Sequence, residues 1–144
     1  MSSKTQLVKA LLGELAQDVT SYQHLAQQLK HQQALLVNRD SQALLSHNVQ
    51  LQQLMQQLGE HAKRRSEYLE SLGVSADDAG MKRLMAALPA QFSQQGNQLW
   101  KKLYELTLQC QELNNANGRV LAQQKQMIDK LLKPEQQFCY GPGR

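Results

Sequence analysis

Apolar residues recur along the first quarter of the chain at alternating intervals of four and three. Val8, Leu12, Leu15, Val19, Tyr22, Ala26, Leu29, Gln33 and Leu36 keep this rhythm. A repeat of 3.5 residues marks a helix that turns one seam toward long neighbours. The spacing predicts a helix over residues 4–37, about 50 Å long at ~1.5 Å per residue. That length suits a coiled-coil-like bundle better than a compact globule. The polar run Asn38-Arg39-Asp40-Ser41 interrupts it. There, Asp40 or Ser41 is suited to accept from the exposed amides of the next helix. The second helix is predicted over 42–72, with the seam Leu44, Asn48, Leu51, Met55, Leu58, Ala62, Arg65, Leu69 and Leu72. Asn48 and Arg65 make it a weaker seam than the first. Gly73 stops it, because glycine takes the left-handed conformation that C-terminal caps require.

Ser75-Ala76-Asp77-Asp78 has the form of a capping box with Asp in place of Glu. It opens a short helix, predicted over 76–88, with Met81, Leu84, Met85 and Leu88 on one side. Pro89 ends that helix and suits the first position of a third long one, predicted over 89–133. Its seam is Phe92, Gly96, Leu99, Leu103, Leu106, Cys110 and Leu113, continued by Asn117, Val120, Gln124, Met127 and Leu131. Trp100 and Tyr104 lie off this seam, placed to pack under the short helix. Lys133-Pro134 closes the helix and leaves a flexible tail, residues 135–144. The expected fold is all-α: three long antiparallel helices in a coiled-coil-like bundle plus one short connecting helix, forming a single domain over residues 1–134.

The last helix changes character partway. Asn114, Asn115, Asn117 and Gly118 are poor helix-interior residues, and Gly118 alone costs about 1 kcal/mol against Ala. Beyond them the apolar residues come in adjacent pairs, Val120-Leu121, Met127-Ile128 and Leu131-Leu132. Sequence neighbours sit ~100° apart around a helix, so these pairs form two stripes. A bundle helix that touches two neighbours has use for a face that wide. Alternatively, one stripe packs internally and the other receives a partner's amphipathic helix. Asn117 and Gly118 would then be a hinge for the segment beyond.

Composition narrows the function. About one residue in six is Gln, aromatics make up 5 %, and no strand-like alternation stands out. The net charge of +4 is spread: residues 1–72 carry 7 basic against 6 acidic groups, and residues 73–144 carry 9 against 6. Lys63-Arg64-Arg65 and Lys101-Lys102 are the densest basic clusters. Without a basic block interleaved with aromatics, ordinary solvated helix surface is favoured over a nucleic-acid footprint. No signal-peptide pattern opens the chain and no stretch approaches the ~20 apolar residues of a membrane span, so the cytoplasm is the expected location.

Catalytic and metal chemistry find little to build on. His24 and His31 are seven apart, and His47 and His61 fall on another helix; none has the spacing of a helical zinc site, so surface histidines are expected. Asp77 and Asp78 are better explained by capping than by acid–base work. Cys110 occupies a seam position as a small core residue, and Cys139 is expected as an exposed free thiol in the tail. Neither a cofactor nor a catalytic activity is expected.

The arrangement resembles the FlgN family of flagellar export chaperones. The residues that carry the likeness are Asn117-Gly118 followed by Val120-Leu121, the apolar run ending in Leu132-Lys133-Pro134, and Tyr140-Gly141. The long first helix, the second beginning near Asn38–Ser41 and the Lys63-Arg64-Arg65 stretch add to it, so the likeness spans roughly residues 5–141. It implies a cytoplasmic chaperone for hook-associated proteins, holding their helical terminal regions and handing them to the flagellar type III export apparatus. In the family the client contact lies in the C-terminal helix, which nominates Val120, Leu121, Met127, Ile128, Leu131 and Leu132. The competing expectation is a structural or adaptor coiled coil that self-associates through the seam of the first helix.

Overall fold

The computed structural model describes residues 3–118 and 129–130. Four helices follow one another: α1 (Ser3–Val37), α2 (Ser41–Ser71), α3 (Asp78–Ala87) and α4 (Ala90–Asn117). No strand occurs among the described residues, and the fold is all-α. The predicted extension of the last helix over 118–133 and the tail at 135–144 lie outside the described residues, apart from Gly118 and the helical pair Asp129 and Lys130.

Local chemistry accounts for the breaks between helices. At the end of α1 the amide of Asn38 donates to Ala34 O (3.0 Å) and that of Asp40 to Leu35 O (3.1 Å), while Arg39 takes a left-handed φ of 56°. Of the two cap candidates, Asp40 acts: its Oδ1 accepts from the Ala43 amide at 3.1 Å. Gly73, at φ 83°, closes α2 with two bonds, Gly73 N to Glu70 O (3.0 Å) and Val74 N to Leu69 O (3.1 Å). This crossed pair satisfies carbonyls that the helix end leaves open.

The start of α3 differs from expectation. Ser75 does not cap it; Asp77 does, with Oδ1 accepting from the Gly80 amide and from Ser75 Oγ, both at 2.7 Å. A carboxylate outcompetes a hydroxyl for the open amides because its hydrogen bonds are charge-assisted. These bonds draw the carboxyl of Asp77 below its usual range, the Gly80 amide contributing most. Asp78 then stands in the first turn, where its Oδ1 accepts from Trp100 Nε1 at 2.8 Å and its Oδ2 meets Lys82 Nζ at 3.0 Å. Trp100 thereby fastens α3 to α4.

Consecutive long helices alternate in direction, so α1 and α4 run parallel, with α2 antiparallel to both. Three contacts fix the parallel register: Gly96 faces Leu12, Cys110 Sγ lies 3.6 Å from Tyr22 O, and Asn117 meets Leu29. The antiparallel register is fixed by Gln32 on Asn48 and by Asp18 on His61 and Arg65. α1 packs along both α2 and α4, and α3 sits on α4.

A helix between two neighbours needs two seams, and α1 has them. Leu11, Leu15, Asp18, Tyr22, Leu25, Leu29 and Gln32 form one, with Val8, Leu12 and Ala26 beside it, all buried. The expected seam loses its upper end, since Gln33 is exposed while Gln32 and Leu35 are buried. In α4 the buried residues are Gly96, Trp100, Leu103, Leu106, Thr107, Cys110, Asn114 and Asn117. Leu99 and Leu113, expected on the seam, are only half-buried. Trp100 and Asn117 hold such places through bonds to neighbouring helices, a possibility that apolar spacing does not register.

Candidate functional site

The predicted client-binding residues, Val120, Leu121, Met127, Ile128, Leu131 and Leu132, lie outside the described residues, as does Cys139. The structure does describe the platform from which that segment departs. Asn117 is the last residue of α4, and Gly118 follows in a helical conformation, its amide 3.3 Å from Asn115 O. Asn117 is buried: its Nδ2 donates to Leu29 O (2.9 Å) and to Gln32 Oε1 (3.1 Å). Gln32, also buried, donates through Nε2 to Asn48 Oδ1 at 3.1 Å. One chain of amide hydrogen bonds therefore joins all three long helices at this level. One turn earlier, Asn114 is 2 % exposed, and its Nδ2 has no hydrogen-bond partner among the described residues. His47 completes the polar layer, its Nε2 2.8 Å from Gln28 O and its ring edge-on to His31 with centroids 4.8 Å apart.

The same end of the bundle carries the largest exposed apolar side chains among the described residues. Val37 closes α1 at 76 % exposure, and Leu45 and Val49, one turn apart on α2, stand at 69 % and 56 %. The opposite end is closed by Met81, Leu84, Met85 and Trp100, all buried against the core. Among the described residues, one end is thus closed by apolar side chains, and the other combines a buried amide layer with exposed apolar side chains.

A second polar group lies within the α1–α2 contact. Asp18 is fully buried, with Oδ2 accepting from Arg65 Nη1 and Oδ1 3.0 Å from His61 Nδ1. Beside it, Glu14 Oε1 accepts from Arg64 Nε at 3.1 Å. Burial pushes the carboxyl of Asp18 above its usual range, against the lowering pull of Arg65 and then of His61. Glu14, Asp18 and His61 each offer a ligand atom within 4.8 Å of the others. Each carboxylate already carries a guanidinium, however, so the charge that would draw a cation is largely neutralised. The arrangement ties two helices together.

Two of the four histidines depart from expectation: His24 and His31 are exposed, but His47 is buried and His61 half-buried. Asp18 escaped the apolar reading because a carboxylate does not count toward a hydrophobic repeat. Two signals were present: it falls in the interval between Leu15 and Tyr22, and Arg65 of opposite charge falls on the facing seam. Cys110 occupies the core, as its spacing predicts, and burial pushes its thiol up to about 12, far from nucleophilic use. No helix among the described residues is long and apolar enough to cross a membrane.

Comparison with known proteins agrees with this architecture. A crystal structure from Pseudomonas aeruginosa, described as that of a flagella synthesis protein FlgN, superposes with a TM-score of 0.75 at 29 % identity, covering 85 % of this chain and 95 % of that one. No curated protein matches the chain. The model of the FlgN protein family matches residues 1–137, nearly the whole length, and the chain belongs to the FlgN family.

Proposed function

We propose that this protein is a cytoplasmic flagellar export chaperone. In this reading it binds hook-associated proteins through the segment that follows α4, keeps them from assembling early, and delivers them to the type III export apparatus. Val120, Leu121, Met127, Ile128, Leu131 and Leu132 are the proposed contacts, with Asn117 and Gly118 as the hinge. Family membership and the flagellar description of the superposed protein support a flagellar role.

One observation carries the location of the site. Asn117 is level with Leu29 and Gln32, and α1 ends at Val37, eight residues past the first and five past the second. Sixteen residues, 118–133, stand between Asn117 and Pro134 and hold all three apolar pairs. α1 has about two turns left to set beside them. Continued as a helix in line with α4, those residues would run past the end of α1 and leave apolar surface for a client's amphipathic helix. No aromatic residue stands among the proposed contacts. Without such anchors the affinity is moderate, as a chaperone that must release its client needs.

The test is capture of a purified hook-associated protein by the full chain and by a form truncated after Gly118. Capture by the full chain alone supports the reading. Equal capture by both forms places the site elsewhere, and capture by neither removes the chaperone role. The second reading, self-association, draws on exposed Val37, Leu45 and Val49. The α1 seam is already filled within the chain, so pairing through it would require the bundle to open. A mass that rises with concentration in light scattering, without affinity for the client, would favour this reading.

A further inference from the structure

We infer that the Asn114–Gly118 end of α4 is a polar latch, held on α1 and α2 through Asn48, Gln32 and Asn117, which opens as one unit ahead of the rest of α4. Gln32 and Asn48 are then positioning residues for the segment that follows. This link to the segment rests on the proposed function; the latch itself does not.

Three features of the same region support the latch. The packing of α4 changes composition along its length: Gly96, Trp100 and Leu103 meet Met85, Leu12 and the other apolar core residues, whereas Asn117 bonds a backbone carbonyl and a side-chain amide of α1, and Asn114 is a buried amide one turn before it. Amide hydrogen bonds exchange for bonds to water at little net loss, while apolar contacts have no such replacement. One turn from the network, Asn114 Nδ2 is buried without a partner among the described residues. Opening hydrates that group, which favours the open state. Finally, Asn114, Asn115, Asn117 and Gly118 hold a helix weakly by themselves.

Simple fraying of a helix end would behave differently. Fraying loosens residues one after another from Gly118 backward and takes no notice of α1 or α2. A latch opens over one turn or more together and responds to substitutions on the facing helices. Under the proposed function, opening would free the chain after Gly118 to reorient on a client's helix.

Native-state hydrogen exchange on the full chain tests this without any client. Amides of residues 111–118 should share one opening free energy and exchange at least about tenfold faster than those of 99–110. Gln32→Leu, on α1, should speed exchange at 111–118 by roughly a further tenfold while leaving 99–110 unchanged. Replacing Gln32, Asn114 and Asn117 together by Leu should slow it by at least about tenfold. Protection that is uniform along α4, or graded smoothly from Gly118 with no response to Gln32→Leu, overturns the latch. Should the triple variant fail to fold, the wild-type and Gln32→Leu profiles still decide. The triple variant should also capture a purified hook-associated protein more slowly than wild type, despite greater thermal stability. Equal capture with a closed latch overturns the coupling to clients. If wild type shows the cooperative opening but captures no client, the proposed function falls and the latch stands.

Discussion

Removing one charge of the Asp18–Arg65 pair leaves the other buried and unmatched. Asp18→Asn should therefore lower the unfolding free energy by about 3–5 kcal/mol in urea denaturation, whereas Asp18→Leu with Arg65→Met should return it to near or above wild type. The contrast separates a pair that specifies the α1–α2 register from one that stabilises it outright. At the start of α3 the sign of the pH effect follows from the lowered carboxyl of Asp77. A group with a depressed folded pKa contributes stability above its unfolded value, and that contribution is lost as pH falls through the folded value. The cap should thus hold above about pH 4 and weaken in acid. Asp77→Ala should lower stability by about 1 kcal/mol at pH 7, and the difference from wild type should shrink in acid melts. Gly80 is a matter of space: a Cβ there would lie 1.8 Å from Ser75 O, a backbone atom. Gly80→Ala should destabilise by about 1–3 kcal/mol even though alanine is the better helix former.

At the scale of elements, heptad spacing specified the long helices: α1 and α2 begin and end within a residue or so of expectation, α4 begins at Ala90, and its expected end at 133 lies outside the described residues. Helix existence follows from periodicity and caps, which are local. The choice of seam within a helix is not local. Leu99 and Leu113 have the apolar character that spacing rewards, yet Trp100 and Asn114 are buried, one bonded to Asp78 and the other within the polar layer. The seam of α4 is set by what α1 and α3 present to it. Cys110 reports on that contact. In a Cys139→Ser background, its buried thiol should resist a disulfide reagent at pH 8 and react at the rate of global unfolding. Prompt reaction would mean that α4 leaves α1 as a whole, well beyond the short segment inferred to open at Asn114–Gly118.

At the scale of the molecule, the parallel register of α1 and α4 sets Asn117 level with Leu29, about two turns before α1 ends at Val37. Changing Leu121 and Ile128 together to Asp should abolish capture of a hook-associated protein while circular dichroism keeps its helical signal. Loss of helicity along with capture would place both residues in the bundle core instead.

The sequence by itself determined the fold class, the long helices, the terminating role of Gly73 and the family, because each depends on residues near one another in the chain or on a pattern spanning it. It also exposed the paired apolar residues beyond Gly118. Only the tertiary structure decided which polar residues are buried, for Asp18, Arg65, Gln32 and Asn117 are stabilised by partners brought from other helices. It alone revealed that one end of the bundle is sealed by apolar side chains and the other bound by amides. Burial of a polar group depends on a bond to a distant residue, and no spacing within a single helix records where that partner will be.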